Sequence, residues 1–542
     1  MNKELQSKIK KIIDILWAGG VVNPIDYIEQ ISYLIYLKRY DEKLSDRNLK
    51  LKLLKRDSFL DDQLEKFRWR NWVVMSGNKL RDFLRDEVFP HMQGLFKKYP
   101  QAAEYFRGAV LKITDPNTLK QVVDILDTIS FVGQGPDATG DLFEYMLTHL
   151  GTSSLNGQFR TPKQIRSFMV EMVDPDLDDT ILDPACGTGG FLLDSFDHIK
   201  YKHSEKGIET PIYGSDWLET SSLDDNVLAK VQMSKSGYGD KISQRDFKRL
   251  INDGFTGYDV SDSMVKISMM NLMLNGLESI NIRPGNTLSE YGGIDQKDLM
   301  KKYSIILANP PFAGQIQRDS IRNDIKIRSR KTEVLFLSVI MDMLAPGGRA
   351  AAIIPEGILF GSGTANKTIR KRLVNEFHLR AVISLHQGVF RPYAGVKTSV
   401  LVFDRPIEKI KKPTDYFIWF YDVKYDGYDP KKISQETRVE APDRNDIPSL
   451  VKLWNDYKRS DFKEPPGIEG LSSLESGSEI PSNWHINRKI ISENDYDLSA
   501  NKYTPIIKEK ILDEKPEELI NKLIDLQSGI VKDLKELLNA LK

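Results

Sequence analysis

The stretch YSIILANPPF, residues 303–312, reads as a buried strand that stops at two consecutive prolines. Its apolar run from Tyr303 to Ala308 is typical of an internal strand in a parallel sheet. Pro310 and Pro311 cannot extend a sheet ladder, because neither has a backbone N–H. The strand must therefore end there and present the next residues at its carboxyl edge, which is where open α/β sheets bind ligands.

The residues after this strand suit an amino group on a flat ring. Asn309 offers a side-chain carbonyl that can accept a hydrogen bond from an exocyclic amine. The prolines stiffen the turn, so that the Pro310 carbonyl can face the same amine, and Phe312 offers a ring for stacking. Two acceptors on one NH₂ group would hold the nitrogen and draw charge from it as it attacks a methyl carbon. The stretch therefore predicts an amino-group methyltransferase, with a plain strand and proline-rich turn as the alternative.

A second ligand-binding pattern, DPACGTGGFL, occupies residues 183–192. A short strand leads into it and a helix to about residue 200 follows, so its glycines let the backbone approach a ligand closely. An acid at the strand end repels a pyrophosphate but suits the ammonium of a methionine group. The pattern therefore predicts S-adenosylmethionine as the cofactor, rather than NAD or ATP. The residues expected to bind it are Asp183, Gly187, Thr188, Gly189 and Gly190.

An acid at the end of the next strand should bind the ribose hydroxyls of this cofactor, and two segments compete for the role. IYGSD ends at Asp216, which has the usual spacing of about 20 residues from a glycine loop. FTGYD ends at Asp259, and an apolar helix over residues 264–276 follows it. We favour Asp259, because that helix completes a strand–helix–strand rhythm into the 303–308 strand. Residues 203–250 would then form an insertion.

Length and composition narrow the class of protein. A chain of 542 residues suggests two to four domains. Lys and Arg number 77 and Asp and Glu number 77, so only local patches can attract nucleic acid. The single cysteine, Cys186, excludes a disulfide framework and a cysteine-based zinc site, and we predict no metal site. The low cysteine content and the absence of a long apolar run predict a cytoplasmic protein with no membrane partner.

Pattern and composition divide the chain into four expected regions. A helical N-terminal domain covers residues 1–138, and a methyltransferase catalytic domain covers 139–410. A loop-rich extension over 411–485 follows, and a helical, partner-binding segment over 486–542 ends the chain.

Two further segments indicate binding partners. The terminal helix carries a heptad pattern, in which seam positions recur by four and three residues, which predicts a partner-binding helix, with docking on its own domain as the alternative. The seam consists of Ile520, Ile524, Gln527, Val531, Leu534, Leu538 and Leu541. A basic loop after residue 312 is either a solvated surface or a contact for DNA phosphates. Its cations are Arg318, Arg322, Lys326, Arg328, Arg330 and Lys331.

With GQFRTP at 157–162, DPACGTGGFL and NPPF in this order, the chain resembles the modification (M) subunit of type I restriction–modification systems. The resemblance covers nearly the whole length and includes the strings GDLFEYML, MNLMLNG and DYDLSANKY. It implies an α/β protein with a helical N-terminal domain, a Rossmann-like methyltransferase domain with a mixed, mostly parallel sheet, and a C-terminal helical tail. Thr161 and Pro162 also read as the N-cap and first residue of a helix over 163–173.

This resemblance implies methyl transfer from S-adenosylmethionine to adenine N6 in double-stranded DNA. It implies that Asn309, Pro310, Pro311 and Phe312 bind an adenine flipped out of the duplex. The cofactor residues that it adds are Gly157, Gln158, Phe159, Arg160, Thr161, Pro162 and Asn286, the last in a GNTL string where the family more often has Asp. It further implies a separate specificity (S) subunit, usually shared by two M subunits, and a restriction (R) subunit that cuts.

Three rival readings stay open on the sequence. A glutamine-side-chain methyltransferase of release-factor type also carries an NPP motif. A non-catalytic scaffold would bind the cofactor and clamp DNA for a nuclease, and a free-standing methyltransferase would read its own site. Cytosine-C5 methylation is excluded, because it needs a nucleophilic thiol and Cys186 lies in the cofactor loop.

Overall fold

The computed structural model describes residues 3–53, 65–95, 106, 108–129, 145–147, 161–212, 230–277, 281–312, 314–391, 395–410, 414–434, 437–475, 478–508 and 516–540. The residues singled out above that lie outside these ranges are Gly157, Gln158, Phe159, Arg160, Asp216 and Leu541.

The helices precede, connect and follow the strands of one large sheet. They are α1 (Lys3–Ala18), α2 (Pro24–Leu53), α3 (Trp69–Trp72), α4 (Gly77–Phe83), α5 (Phe89–Leu95), α6 (Pro116–Asp127), α7 (Lys163–Val173), α8 (Gly190–Lys202), α9 (Gln244–Asp253), α10 (Asp262–Leu274), α11 (Gln296–Leu299), α12 (Thr332–Met343), α13 (Gly357–Phe360), α14 (Thr364–Glu376), α15 (Ile447–Arg459), α16 (Arg488–Glu493) and α17 (Pro516–Ala540). A π-helical turn, Leu84–Val88, joins α4 to α5.

The strands are β1 (Ile181–Asp183), β2 (Ile208–Pro211), β3 (Met233–Ser236), β4 (Phe255–Asp259), β5 (Asn281–Pro284), β6 (Tyr303–Ala308), β7 (Leu344–Pro355), β8 (His378–Leu385), β9 (Thr398–Asp404), β10 (Phe417–Val423), β11 (Asp426–Ser434), β12 (Thr437–Asn445), β13 (Ile468–Glu469), β14 (Ser473–Leu474), β15 (Asn483–Asn487) and β16 (Ile506–Ile507).

A ten-stranded sheet has the order β13-β15-β10-β8-β9-β7-β6-β1-β4-β5. From β5 to β7 the neighbouring strands run parallel. Strand β9 lies between β7 and β8 and is antiparallel to both. The predicted fold, a mixed and mostly parallel sheet after a helical N-terminal region, is confirmed.

The chain enters this sheet at β1, which has β4 and β5 on one side and the other seven strands on the other. From β1 it builds β4 and β5 on one side, and only then β6 and β7 on the other. The order in which the chain adds strands therefore reverses between β1 and β6, and a ligand crevice is expected at the carboxyl ends of these two strands. Strands β2 and β3 form a separate antiparallel pair, which agrees with the predicted insertion over 203–250.

Alternate residues of β6 face two different cores, as the two-residue period of a strand requires. Ile305 and Leu307 pack in the cluster that contains Phe168 of α7. Ile306 and Ala308 pack in a second cluster with Val339 of α12. Helices thus cover both faces of the sheet, which explains why the sequence of β6 is apolar throughout.

The N-terminal helical region packs on the catalytic sheet through α2 and α10. The guanidinium of Arg39 donates a hydrogen bond to the carbonyl of Leu274, at the end of α10. Lys266 of α10 lies 3.5 Å from the carboxylate of Glu29. These contacts place the start of α2 near the carboxyl edge of the sheet.

The region over 411–485 is not loop-rich, contrary to the prediction. Strand β10 continues the main sheet beyond residue 410 by pairing with β8, and β11 and β12 form an antiparallel hairpin. Helix α15 packs beside α7, where the indole of Trp454 donates to the carbonyl of Met172 at 2.9 Å. The polar and proline-containing flanks obscured the buried strand FIWFYDV. The predicted domain boundaries themselves stay predictions.

The C-terminal helix α17 leaves its apolar side chains exposed. Leu523 and Leu526 are each 64% exposed, and Leu538 is 60% exposed. The other large apolar side chains exposed on it are Ile520, Ile524, Ile530, Val531, Leu534 and Leu537. Within the described ranges, no helix combines the length and the apolar character that crossing a bilayer would need.

Candidate active site

A cavity of about 450 Å³ lies at the carboxyl edge of β1, β4 and β6. Asp183 ends β1, Asp259 ends β4 and Asn309 follows β6, so the switch point brings three separate segments together. The predicted site residues that line the cavity are Thr161, Asp183, Gly187, Thr188, Gly190, Asp259, Asn286, Asn309, Pro310, Pro311 and Phe312. Pro162 and Gly189, which were also predicted, are not part of this lining.

The glycine loop is fastened to the end of β4 by Asp259. One carboxylate oxygen of Asp259 accepts a hydrogen bond from the Gly187 N–H at 3.0 Å, and the other accepts from the Ser261 N–H at 2.9 Å. Gly189 has a φ of +76°, and a Cβ there would lie 2.5 Å from the Ser268 hydroxyl. The loop therefore needs glycine at this position to pack against α10.

Two acids, the buried Asp183 and the partly buried Asp259, face this loop. Burial raises the pKa of the Asp183 carboxyl to about 8; a hydrogen bond from the Ala185 N–H opposes the rise, and the nearby charge of Asp259 adds to it. Burial also raises the pKa of Asp259, against the backbone N–H groups that it accepts from. A cation placed beside these groups would favour their ionised forms.

Arg166 was not among the predicted site residues, although it lines the cavity. Its side chain is buried, pairs with Asp194 at 2.8 Å and donates to the Thr161 carbonyl at 2.9 Å. A Cβ on Gly190 would lie 2.8 Å from Arg166 Cδ. Gly190 is therefore required for the close packing of α8 on the Arg166 side chain, which in turn holds Thr161, two residues before α7.

Asn309 is oriented by Thr161. Its side-chain Nδ2 donates a hydrogen bond to the Thr161 hydroxyl at 2.9 Å. Helix α7 begins at Lys163 with Pro162 as its N-cap, so the predicted cap at Thr161 is wrong, and the Thr161 hydroxyl accepts from Asn309 instead. Among the described residues, no group donates a hydrogen bond to Asn309 Oδ1, although this oxygen is buried. A buried amide carbonyl without a donor is costly unless a ligand supplies one.

Phe312 lies against a second aromatic ring. The Phe390 ring, in the segment after β8, meets it edge-to-face with ring centroids 5.6 Å apart. Phe390 belongs to the string GVFRPY, and only its long-range contact reveals it as part of the site. Helix α2 and the 145–147 segment add Pro24, Ile25 and Leu147 to the cavity wall, so the N-terminal region covers part of the site.

Asn286 shapes the loop after β5. Its side-chain oxygen accepts from the Leu288 N–H at 3.0 Å, and its backbone N–H donates to the Gly292 carbonyl at 2.9 Å. Asn286 lines the cavity.

The basic loop differs from the prediction at Arg322. Arg322 is buried, pairs with Asp324 at 2.5 Å and donates to the carbonyl of Thr287, a residue of the cavity lining, at 2.8 Å, so its role is structural. The exposed cations of the loop are Arg318, Lys326, Arg328, Arg330 and Lys331. In the described part of the chain, none of these five has a carboxylate within ion-pair distance.

The loop is fixed to the NPPF turn at its base. The Thr332 N–H donates to the Gly314 carbonyl at 3.0 Å, and the Ile316 N–H donates to the Arg330 carbonyl at 3.0 Å. Gln315 and Lys331 form an isolated antiparallel bridge. These bonds hold the exposed cations beside the cavity opening.

Comparison with known proteins gives a consistent result. The family described as N-6 DNA Methylase matches residues 134–511, and the HsdM N-terminal domain matches residues 5–126. The EcoEI methylase subunit, of a type I restriction enzyme from Escherichia coli, is 30% identical over 465 residues, which cover 83% of each chain. The StySPI methylase subunit from Salmonella potsdam is 28% identical over 439 residues, covering 78% of this chain and 72% of that one.

One solved structure, from work on the complex assembly and conformational transition of the type I R-M system, contains a chain with the same fold as this protein. The TM-score is 0.64 at 24% sequence identity, and the match covers 99% of this chain and 98% of that chain.

The sheet order and the placement of the cavity define a methyltransferase with a Rossmann-like fold. Within that class, the two family matches span most of the sequence, and the identity with a type I relative extends over most of both chains. The chain belongs to the N-6 DNA methylase family, among the methylase subunits of type I restriction enzymes. The family and the adenine-N6 methylation of DNA implied by the resemblance are thereby confirmed.

Proposed function

We propose that this chain transfers a methyl group from S-adenosylmethionine to the N6 amino group of an adenine flipped out of a DNA duplex, at a site read by a specificity subunit. The observation that carries the proposal is the buried Oδ1 of Asn309, which has no donor among the described residues. An exocyclic amine of a base is a donor that would satisfy it.

The residues around the glycine loop fit the proposed cofactor. Asp183 is buried at the loop, and because burial raises its pKa, an ammonium placed beside it would favour its ionised form. Asp259 accepts one backbone N–H on each oxygen and keeps further lone pairs for ribose hydroxyls. We assign the methionine ammonium to Asp183, the ribose to Asp259 and the cofactor's adenine to the Asn286 loop. When bound, the cofactor supplies an electrophilic methyl group on a sulfonium.

The chain's own contribution is the positioning of the amine. Thr161 fixes the amide of Asn309 by accepting from its nitrogen, so the carbonyl is available to accept from N6. The Pro310 carbonyl is the second acceptor. Neither proline has a backbone N–H, so the sheet ladder ends here and this carbonyl can face the amine instead of pairing in the sheet. Phe312 would stack on the base, with Phe390 supporting that ring from the side. Such preorganised acceptors act on charge that develops in the transition state.

No covalent intermediate is needed. Cys186 lies in the loop with its side chain buried, and burial raises the pKa of its thiol well above the ordinary value. A buried neutral thiol is a poor nucleophile. This supports amino-group methylation over chemistry at a ring carbon.

We assign the DNA backbone to the exposed cations of the loop over 318–331 and the specificity subunit to α17. The cations lie beside the cavity opening, where the strand that carries a flipped base would have to pass. The α17 helix is a 25-residue helix with a wide exposed apolar stripe. A restriction subunit and a ratio of two modification subunits to one specificity subunit complete the proposed assembly.

The experiment is methyl transfer from labelled S-adenosylmethionine to genomic DNA, with and without the co-encoded specificity subunit, followed by nucleoside analysis. We expect N6-methyladenine only with the partner, and none from Asn309→Ala in the same complex. A scaffold would retain its function in that variant, a free-standing enzyme would methylate one sequence alone, and a glutamine methyltransferase would label protein. Each of those results contradicts the proposal.

A further inference from the structure

Outside the cavity lining, a buried carboxylate joins two segments of the site. Asp426, the first residue of β11, is completely buried. Arg438 of β12 binds both of its oxygens at 2.6 Å, which forms a two-point ion pair. Arg438 also donates to the Val389 carbonyl at 3.3 Å. The ion pair is therefore in contact with the residue that precedes Phe390.

Each oxygen of Asp426 has a further partner on a different segment. Oδ1 lies 2.9 Å from His386 Nε2, in the turn that follows β8. Oδ2 accepts from the side-chain nitrogen of Gln164, at the start of α7, at 3.0 Å. Burial opposes ionisation of Asp426, but the hydrogen bonds from Arg438 and His386 outweigh it and lower its pKa to about 2. Asp426 is thus charged and engaged on both oxygens at any physiological pH.

His386 connects this carboxylate to Phe390. The Gly388 N–H donates to His386 Nδ1 at 3.1 Å, and the Val389 N–H donates to the His386 carbonyl at 3.1 Å. Since Nδ1 accepts, the ring proton is on Nε2 and faces Asp426. The turn that carries Phe390 is therefore fixed from one end by a single ring.

Gln164 connects the same carboxylate to Asn309. It lies in the first turn of α7, three residues after Thr161, whose hydroxyl accepts from Asn309 Nδ2. A shift of α7 would move Thr161 and release the Asn309 amide. The two oxygens of Asp426 therefore act on the two sides of the base site, one through Thr161 and Asn309 and the other through Phe390 and Phe312.

We propose that Asp426 is a positioning residue for methyl transfer, which aligns the acceptor side and the aromatic side of the base site through Gln164 and His386. The proposal rests on the function proposed above. A purely structural anchor of the β11–β12 hairpin would stabilise the chain without affecting the geometry at Asn309. A positioning residue affects the catalytic step while the cofactor side, held by Asp183 and Asp259, stays intact.

The test uses the full chain in complex with the specificity subunit and compares Asp426→Asn, Gln164→Met and Asp404→Asn. Gln164→Met removes one connection and leaves the Asp426–Arg438 ion pair intact, so it stays informative if Asp426→Asn fails to fold. Asp404→Asn is the matched control. Asp404 of β9 pairs with Arg380 of β8 at 2.7 Å in the ten-stranded sheet. It lies opposite His378, the first residue of β8, and hence at the end of β8 away from the site.

The readouts are kcat, KM for duplex DNA, cofactor affinity, melting temperature and the fluorescence of 2-aminopurine placed at the adenine that the wild type methylates. We expect Gln164→Met to lower kcat about 10- to 100-fold and to change the 2-aminopurine signal, with cofactor affinity unchanged. Asp404→Asn should match the wild type in kcat.

The proposal is overturned if Gln164→Met keeps the wild-type kcat, or if kcat falls only in step with cofactor affinity and melting temperature. If the wild-type complex leaves adenine unmethylated, the proposed function fails. If the wild type methylates adenine and Gln164→Met has the same kcat, only the positioning role fails.

Discussion

Asn309 and Thr161 are 148 positions apart in the chain, yet the side-chain amide of one donates to the hydroxyl of the other at 2.9 Å. The bond connects the turn after β6 to Thr161, two residues before α7. In this bond the amide nitrogen is the donor and the hydroxyl oxygen the acceptor, so Thr161 does not occupy Asn309 Oδ1. The acceptor oxygen is then fixed without any donor from the described residues.

Replacing Thr161 with Val should lower kcat for methyl transfer about tenfold or more. The change keeps the shape of the side chain but removes the acceptor, so the buried amide nitrogen of Asn309 loses its partner and can rotate. Thr161→Ser, which keeps the hydroxyl, is the matched control and should restore most of the rate. Equal rates in Thr161→Val and the wild type would contradict the assigned role.

Replacing Asp183 with Asn should alter the pH dependence of stability in the cofactor-free chain. Because burial raises the pKa of Asp183 to about 8, the folded chain retains a proton that the unfolded chain has already lost. The contribution of this group to the free energy of unfolding therefore falls as pH rises from about 4 towards about 8.

Denaturant unfolding at pH 5 and pH 8 measures this effect. The Asn variant should gain stability over the wild type at pH 8 and less at pH 5, while its affinity for S-adenosylmethionine falls. A stability difference that is the same at both pH values would show that Asp183 is ionised in the folded chain.

Replacing Gly190 with Ala should weaken cofactor binding and lower the free energy of unfolding by about 1–3 kcal/mol. The added methyl group would lie 2.8 Å from Arg166 Cδ, and Arg166 is held by Asp194 and the Thr161 carbonyl. Gly357→Ala is the control, since a Cβ there meets no atom within 4 Å. Urea midpoints and calorimetric titration with the cofactor compare the two variants.

Neutralising the exposed loop cations should weaken DNA binding in a salt-dependent way. Replacing Arg328, Arg330 and Lys331 with Gln removes three charges beside the cavity opening. The slope of log K against log salt should fall by about one for each lost phosphate contact. Replacing three exposed cations of the 230–253 region, Lys241, Arg245 and Lys248, is the matched control and should leave the slope unchanged.

Charging the apolar stripe of α17 should prevent assembly with the specificity subunit. Leu526→Glu together with Leu537→Glu places two carboxylates on the exposed apolar face, where a partner would have to desolvate them. Asn521→Glu with Asn539→Glu adds the same charge to the polar face and should assemble normally. Size-exclusion chromatography with light scattering distinguishes complex from free chain, and assembly of the leucine variant would assign the contact elsewhere.

The sequence predicted those parts of the fold that depend on local pattern. Strand β6 has the predicted bounds because its apolar run ends at two prolines. We favour Asp259 over Asp216 because an apolar helix follows it in the sequence. In the structure Asp259 ends β4, the strand next to β1, and α10 is that helix. The glycine loop was recognisable because backbone approach and an acid at a strand end have a local signature.

The missed residues depend on contacts between distant segments. Thr161 reads locally as a helix cap, and nothing near it indicates Asn309. Asp426 lies between Tyr425 and Gly427 and resembles a surface turn, whereas Arg438, His386 and Gln164 bury and neutralise it. Arg322 looks in the sequence like one more cation of a basic loop. In the structure it is buried, paired with Asp324 and bound to the Thr287 carbonyl. Such roles follow from the packed structure rather than from spacing.

The position of β9 has a consequence for how the chain is made. In the sheet, β8 has β9 and β10 as its neighbours, and both are synthesised after it. When β8 leaves the ribosome, its apolar residues therefore have no strand to pair with, and the open edge of β7 also awaits β9. Strand β8 is joined to β7 only through β9, so it cannot take its place beside β7 in the sheet until β9 has been made. The turn with Phe390, which lies between β8 and β9, therefore reaches its final position only after β9 has been synthesised.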